Sequence, residues 1–487
     1  HTLDAREAAP ASASAEFYRE NPESIRMGAR SVGVPGLVQG LWALHQRYGS
    51  MKWAELIEPA IALAENGVEV SIWHHKMVSY AAPALEAFPE TRRIQTVDGK
   101  PPPLGWLLKQ KDLAQTLRVI QEKGEKALAV GPIAAKIEAA TGGVVTELDL
   151  ARYEAKWREP IRGSYRGYDL AAMPPPSSGG VLLVQMLNVL QRFELGEMSP
   201  NSSEFVHLVA STMKLAFADR AEHLGDPDYH PVPVERLISM DYADQQAARI
   251  RPDGQPDVPD KLSAPPDDAG TTQISIIDQN GNAVALTQTI NTIFGSKITV
   301  PGTGIVLNNE MDDFSIDSET ANLWEALGSE ANGVKPGKRP LSSMTPTIVL
   351  KDGRPVMALG SPMGTAIIST VLQTLINVID FEFDAQRAVM APRFHHQWQP
   401  DVLRLEPDFP SDVRVRLEQL GHTLQERSMI GAAQLSIYDP DACFFWGGAD
   451  GRRDSGAAGA NISEAQVLTD AERCQAIGTT RASAVPK

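Results

Sequence analysis

Gly270-Thr271-Thr272-Gln273-Ile274-Ser275-Ile276-Ile277-Asp278 places two threonines at the head of a strand. Beyond Thr271 the apolar side chains come in near alternation (Ile274, Ile276, Ile277), Asn280-Gly281 supplies a tight hairpin turn, and residues 282–289 run back as a second strand. The upstream side differs. Residues 253–270 are rich in Pro, Asp and Gly and carry no hydrophobic period, so they read as an exposed loop that stops at Thr271. An exposed loop running into a threonine-headed strand is what a peptide bond built to be cut requires. Taken alone, Thr271 and Thr272 are also ordinary β-branched strand formers.

The chemistry favours the cut. A threonine hydroxyl is a weak nucleophile at neutral pH, and one compact base is the residue's own α-amine once the preceding bond is broken. A free α-amine has a pKa of roughly 7.7 to 8.0, near working pH, whereas a peptide nitrogen is no base. Cleavage between Gly270 and Thr271 therefore creates the catalyst.

The context carries a resemblance. Residues 270–272 and 282–292 (NAVALTQTINT), together with 301–315 (PGTGIVLNNEMDDFS) and 337–344 (GKRPLSSM), strongly resemble the γ-glutamyltranspeptidase family of N-terminal-nucleophile hydrolases. Residues 4–10 (DAREAAP), 33–36 (GVPG) and 174–180 (PPPSSGG) extend the likeness, which covers most of residues 1–459.

The resemblance implies an α+β fold, a four-layer αββα sandwich with antiparallel sheets. Two interwoven fragments would come from one precursor. Residues 1–270 form the large subunit, mostly helical and lacking an N-terminal segment. Residues 271–459 form the small subunit with the nucleophile, and residues 460–487 are a tail.

Bulk properties agree with a globular enzyme. The chain has 487 residues, 43% hydrophobic and 22% charged, so length alone predicts about three domains where the family likeness implies one interwoven body. Its 45 basic and 61 acidic residues give a net charge of −16, which argues against nucleic acid or an anionic membrane as partner. No run of about 18 apolar residues marks a membrane span. Cys443 and Cys474 cannot make a disulfide framework of the small secreted kind, and one isolated bridge between them stays open. The sequence starts at His1 without a signal segment, and a periplasmic or secreted location is expected from the family likeness alone.

Helical spacing is read over residues 37–49, 53–65, 104–124, 133–142, 181–192, 203–222, 365–380 and 413–420. Strands are read over 345–351 with 355–359 across Asp352-Gly353, and over 433–438 with 443–447. Ser211-Thr212-Met213-Lys214 fits S-x-x-K, but S-D-N and K-T-G are absent, as are G-x-S-x-G, H-E-x-x-H and the Walker A pattern. His395-His396 lacks a third ligand nearby and reads as structural, so no metal and no cofactor are expected.

Carried onto this sequence, the resemblance makes Thr271 the nucleophile and Thr289 the residue that tunes its amine. Arg6, Ser342 and Ser343 would hold the substrate's α-carboxylate; Asn291, Glu310 and Asp313 would hold its α-amino group. The oxyanion donors would be the N–H groups of Met363 and Gly364, where the family usually has two glycines. Gln273 and Ala366 also depart from the commonest family residues. Residues 316–335 read as a lid with Trp324 as its gate.

The implied substrate is a γ-glutamyl donor such as glutathione, with water or an amino acid or peptide as acceptor. Two alternatives stay open: an acylase acting on glutaryl-type β-lactam side chains, and a catalytically silent binding protein.

Overall fold

The computed structural model describes residues 1–258, 270–316, 322, 328–440 and 444–459. Its centre is a six-stranded sheet in the order Phe444–Ala449, Gln434–Asp439, Arg354–Gly360, Thr347–Lys351, Tyr168–Ala172, Ile161–Tyr165. Every neighbouring pair is antiparallel. Asp352 (φ 50°) and Gly353 (φ 72°) both take left-handed backbone at the turn between two of these strands, which is what a two-residue hairpin turn needs to match strand twist. Residues before and after Thr271 thus share one sheet.

One face of the sheet carries the main core. Helix Gly179–Leu190 is buried at every residue, as its almost uninterrupted apolar sequence demands, and packs on the two strands from residues 161–172 and on helices Ser203–His223 and Ala366–Ile379. The approach is close: a Cβ at Gly163 would lie 2.7 Å from Val184 Cγ1. On the other face lies the hairpin Thr271–Ile277/Ala283–Thr289, against strands Arg354–Gly360 and Gln434–Asp439. The Ser275 hydroxyl donates to the Gln434 carbonyl at 3.0 Å, and the Ser436 hydroxyl donates to the Ser275 carbonyl at 2.8 Å. Helices, sheet and hairpin form the expected α+β sandwich.

The alternation in the hairpin works in an unexpected sense. Thr271 and Gln273 are buried and Ser275 half-buried, while Ile274 and Ile276 are 43% and 50% exposed. The hairpin turns its polar residues inward because that face hydrogen-bonds to a neighbouring sheet and carries the site. Its turn differs too: Gly281 alone has positive φ (78°), and the Asp278 N–H donates to the Asn282 carbonyl across a three-residue loop, with Asp278 Oδ1 accepting from the N–H groups of Asn280 and Asn282.

The helical readings match helices Leu37–Tyr48, Trp53–Asn66, Pro132–Ala140, Gly179–Leu190, Ser203–His223, Ala366–Ile379 and Ser411–Gln419. The exception is 104–124, where the helix is Lys111–Lys123. Gly105 at φ 74° breaks the register, and Leu107–Leu108 pairs instead as a short strand with Val68–Glu69. Trp324, half of the lid segment (317–321 and 323–327), residues 259–269 of the loop before Gly270, both cysteines and residues 460–487 lie outside the described residues. No helix among the described residues is long and apolar enough to cross a membrane.

The first strand, Thr2–Asp4, pairs with Lys156–Arg158 and ends on a fully buried carboxylate. The Asp4 carboxylate accepts from the Arg6 N–H (3.0 Å) and Arg158 Nε (2.8 Å) and forms an ion pair with Arg339 Nη1 (2.6 Å). This one side chain ties residues far apart in the sequence. Asp4→Ala leaves Arg339 buried without its carboxylate and is expected to cost about 3–5 kcal/mol, read as a lowered urea midpoint.

Candidate active site

Strand register brings Thr271 opposite Thr289, and their hydroxyls stand 3.0 Å apart. Thr289 Oγ1 also accepts the N–H of Asn291 at 2.8 Å, where the strand ends and Asn291 turns to φ 68°. The carbonyl of Asn291 accepts the N–H of Gly270 (2.7 Å), and the Ile290 N–H donates to the Gly270 carbonyl (3.3 Å). The peptide ahead of Thr271 is thus held against residues 290–291. Only glycine fits there: a Cβ on Gly270 would sit 2.2 Å from the carbonyl oxygen of Thr292.

Facing Thr271 is a cluster of buried charges. Arg6 Nη1 lies 2.5 Å from Glu310, its Nη2 is bonded to Asp313, and its Nε donates to the Pro340 carbonyl at 3.3 Å. Burial works against the charge on Arg6, but the carboxylates of Glu310, Asp313 and Glu7 outweigh it and hold its pKa above the ordinary value. Glu310 is fully buried, and burial raises its pKa well above normal despite Arg6, with Glu7 and Asp313 adding repulsion. Apart from the ion pair of Oε2 with Arg6, neither of its oxygens accepts a hydrogen bond among the described residues. Glu310 therefore keeps acceptor capacity for a cationic ligand.

Ser342 and Ser343 sit on an irregular segment clamped by residues 174–180. The N–H and hydroxyl of Ser178 both donate to the Ser342 carbonyl, at 2.8 and 2.7 Å. A Cβ on Gly179 would lie 2.2 Å from Thr345 Oγ1, which accounts for glycine in this motif. The hydroxyl of Ser343 accepts from Arg220 Nη2 at 3.1 Å.

The turn expected to carry the oxyanion donors joins strand Arg354–Gly360 to helix Ala366–Ile379. Met363 adopts φ 101° and Gly364 φ 49°. Neither N–H donates to another described residue, so both remain available for an anion at the positive end of the helix. The left-handed backbone that glycine would adopt freely is imposed here on methionine, at a cost of about 1–3 kcal/mol. Its side chain holds the turn, since Met363 is buried and its Sδ accepts the Gly431 N–H at 3.0 Å. Gln273 packs below: a Cβ on Gly360 would lie 2.2 Å from its Oε1, which already accepts from Thr287 Oγ1 at 2.5 Å. Ala366 is the first residue of the helix.

These groups line one cleft of about 340 Å³: Arg6, Thr271, Thr289, Asn291, Glu310, Asp313, Ser342, Ser343 and Gly364 all face it, with Thr365 and Asn322. Two arginines missed in the sequence join them. Arg220 lines the cleft itself, while Arg453 donates to the Thr271 carbonyl at 3.2 Å and stacks 4.7 Å over Trp73. Arg220 lies six residues beyond the S-x-x-K lysine on one helix. That lysine, Lys214, is turned to Asp401 at 2.7 Å. His395 bonds Ser369 (2.6 Å) and Gln397 (2.9 Å), and His396 bonds Asp401 (3.1 Å), so both are spent on internal hydrogen bonds.

A threonine heading a sandwich strand, with its hydroxyl in a cleft and two free N–H groups on a nearby turn, defines an N-terminal-nucleophile hydrolase. The match to known sequences is more specific: the model of the gamma-glutamyltranspeptidase family covers residues 1–460, and the chain belongs to that family. It is 40% identical over 453 residues to the glutathione hydrolase proenzyme of Escherichia coli K12, covering 90% of this chain and 78% of that protein. It is also 36% identical over 455 residues to the acylase ACY 1 proenzyme of Pseudomonas sp. SE83, covering 90% and 79%. Among solved structures, cephalosporin acylase from Bacillus halodurans superposes with a TM-score of 0.82 at 28% identity, covering 94% of this chain and 84% of that one. Helicobacter pylori gamma-glutamyltranspeptidase gives 0.51 at 38% identity, covering 52% and 75%.

Two outcomes follow from the geometry. At Met363 the positive φ reverses the usual order of small residues: Met363→Gly is expected to be more stable than Met363→Ala by about 1 kcal/mol, although both lose the buried thioether. Thermal unfolding of the two variants decides it. Burial raises the Glu7 carboxyl from 4.5 to about 7. The folded protein therefore keeps a proton that the unfolded chain releases near 4.5, and the stability this gives is full below that pH and lost as pH rises through about 7. Between pH 5 and 8 the wild type should lose about 1–3 kcal/mol relative to Glu7→Gln, measured by urea midpoints.

Proposed function

We propose that the chain is a self-processing γ-glutamyl hydrolase and transferase, acting on glutathione and related γ-glutamyl amides. One observation carries the reading: the Thr271 hydroxyl shares a cleft with two arginines, Arg6 and Arg220, and two carboxylates, Glu310 and Asp313. That charge pattern complements a zwitterion. An α-amino acid head held there would present its γ-carbonyl to the nucleophile.

Maturation comes first in this reading. The Thr271 hydroxyl attacks the Gly270 carbonyl, the acyl group shifts from nitrogen to oxygen, and water releases residues 1–270 from 271–487. The two fragments stay together as a heterodimer because the six-stranded sheet takes strands from both.

The freed α-amine of Thr271 then takes the hydroxyl proton as oxygen attacks the donor's γ-carbonyl. Met363 and Gly364 N–H groups receive the oxyanion, and the amine leaves with the proton. Water or an acceptor amine attacks the acyl-threonine and restores the hydroxyl. Arg6, Ser342 and Ser343 hold the α-carboxylate; Asn291, Glu310 and Asp313 hold the ammonium; Thr289 orients the nucleophile. The relatives named as glutathione hydrolases support the substrate class, and a location outside the cytoplasm belongs to the same reading.

The likeness to named acylases raises a glutaryl amide as second substrate. Such a donor lacks the ammonium and would leave Glu310 and Asp313 against an apolar methylene, which is costly for buried carboxylates.

Thr271→Ala should run as one band on a denaturing gel and be inactive, whereas the wild type gives two. A processed Thr271→Ala chain would remove Thr271 as nucleophile. On processed enzyme γ-glutamyl-p-nitroanilide should be cleaved far faster than glutaryl-p-nitroanilide, and comparable rates would favour the acylase. Asp313→Asn should lower kcat/KM for the γ-glutamyl donor by about 10- to 100-fold.

A further inference from the structure

Two guanidinium groups face the cleft, and their states differ. Arg6 is engaged by Glu310 and Asp313 and by the carbonyl of Pro340. Arg220, 6% exposed, has no carboxylate within ion-pair distance among the described residues. Its bonds go to two hydroxyls: Nε to Ser178 at 3.0 Å and Nη2 to Ser343 at 3.1 Å. Its Nη1 bonds to no described residue. A buried cation without a counter-ion is costly and persists where an anion is supplied from outside.

Helix Ser203–His223 sets this position rigidly, because nearly every residue around Arg220 on it is buried. Burial lowers the Arg220 pKa to about 10, Asp313 opposing this and Arg6 adding to it, so the group stays charged at neutral pH.

Resting on the reading of the cleft as a γ-glutamyl site, we propose that Arg220 supplies the unspent positive charge for the donor's α-carboxylate. It acts by polarising the Ser343 hydroxyl toward that carboxylate and by offering its free Nη1. Arg6 keeps its place at the same carboxylate while also bracing Glu310 and Asp313, and Arg220 adds a second cation to that end of the cleft. Arg220 is on this account a specificity and positioning residue for the carboxylate end of the substrate and takes no part in proton transfer.

The test compares two donors that differ only in that carboxylate, γ-glutamyl-p-nitroanilide and 4-aminobutanoyl-p-nitroanilide, on processed protein. In Arg220→Met, KM for the γ-glutamyl donor should rise about 10- to 100-fold with kcat changed far less. The kcat/KM for the 4-aminobutanoyl donor should move by less than about threefold. Arg220→Lys should recover most of the loss. Arg220→Gln, which can still bond both serines, gives the same donor ratio if the methionine variant is not obtained folded. Equal losses on both donors, or no loss on either, would overturn the proposal. A wild type that fails to cleave γ-glutamyl-p-nitroanilide would instead sink the proposed function, so the two failures are distinct.

Discussion

The buried pairing of Arg6 with Glu310 and Asp313 is the constraint on which the site depends. Ionised groups are expensive to bury singly, and removing one partner of such a set typically costs 3–5 kcal/mol because the others are left unpaired. Here the partners come from residues about 300 apart in the sequence, so the cluster can form only when the first strand and the turn Glu310–Asp313 are both seated. Asp4 secures the arrangement by accepting the Arg6 N–H and pairing with Arg158 and Arg339, and Arg339 in turn fixes the segment leading to Ser342. Fold stability and the charge pattern of the cleft therefore draw on the same groups.

The balance of those charges shapes the cleft. Burial pushes Glu310 toward its protonated form, while Arg6 and Arg220 remain cationic. The cleft leans positive on a chain whose net charge is −16, which meets the requirement that an anionic substrate find locally placed cations. An arriving ammonium would favour the ionised form of Glu310. One compact group of side chains thus carries groups complementary to both ends of a zwitterion.

At the oxyanion turn a second compromise operates. Methionine at φ 101° carries backbone strain that glycine would avoid, and its buried side chain with the Sδ contact to Gly431 offsets it. A glycine pair would leave the turn freer; the methionine anchors it to the segment ahead of strand Gln434–Asp439.

By itself the sequence determined the hairpin that Thr271 heads, most of the longer helices, and the nine described cleft residues named from motifs, because spacing and side-chain chemistry are local properties. Tertiary structure alone decided which hairpin face turns inward, since alternation marks two faces without saying which one meets a neighbour. It also decided that Leu107–Leu108 leaves the helical period to pair with Val68–Glu69. Arg220 and Arg453 were illegible for the same physical reason. An arginine on a helix or near a chain end has no local mark of function, and only the packing of distant segments places one guanidinium beside Ser343 and the other on the carbonyl of Thr271.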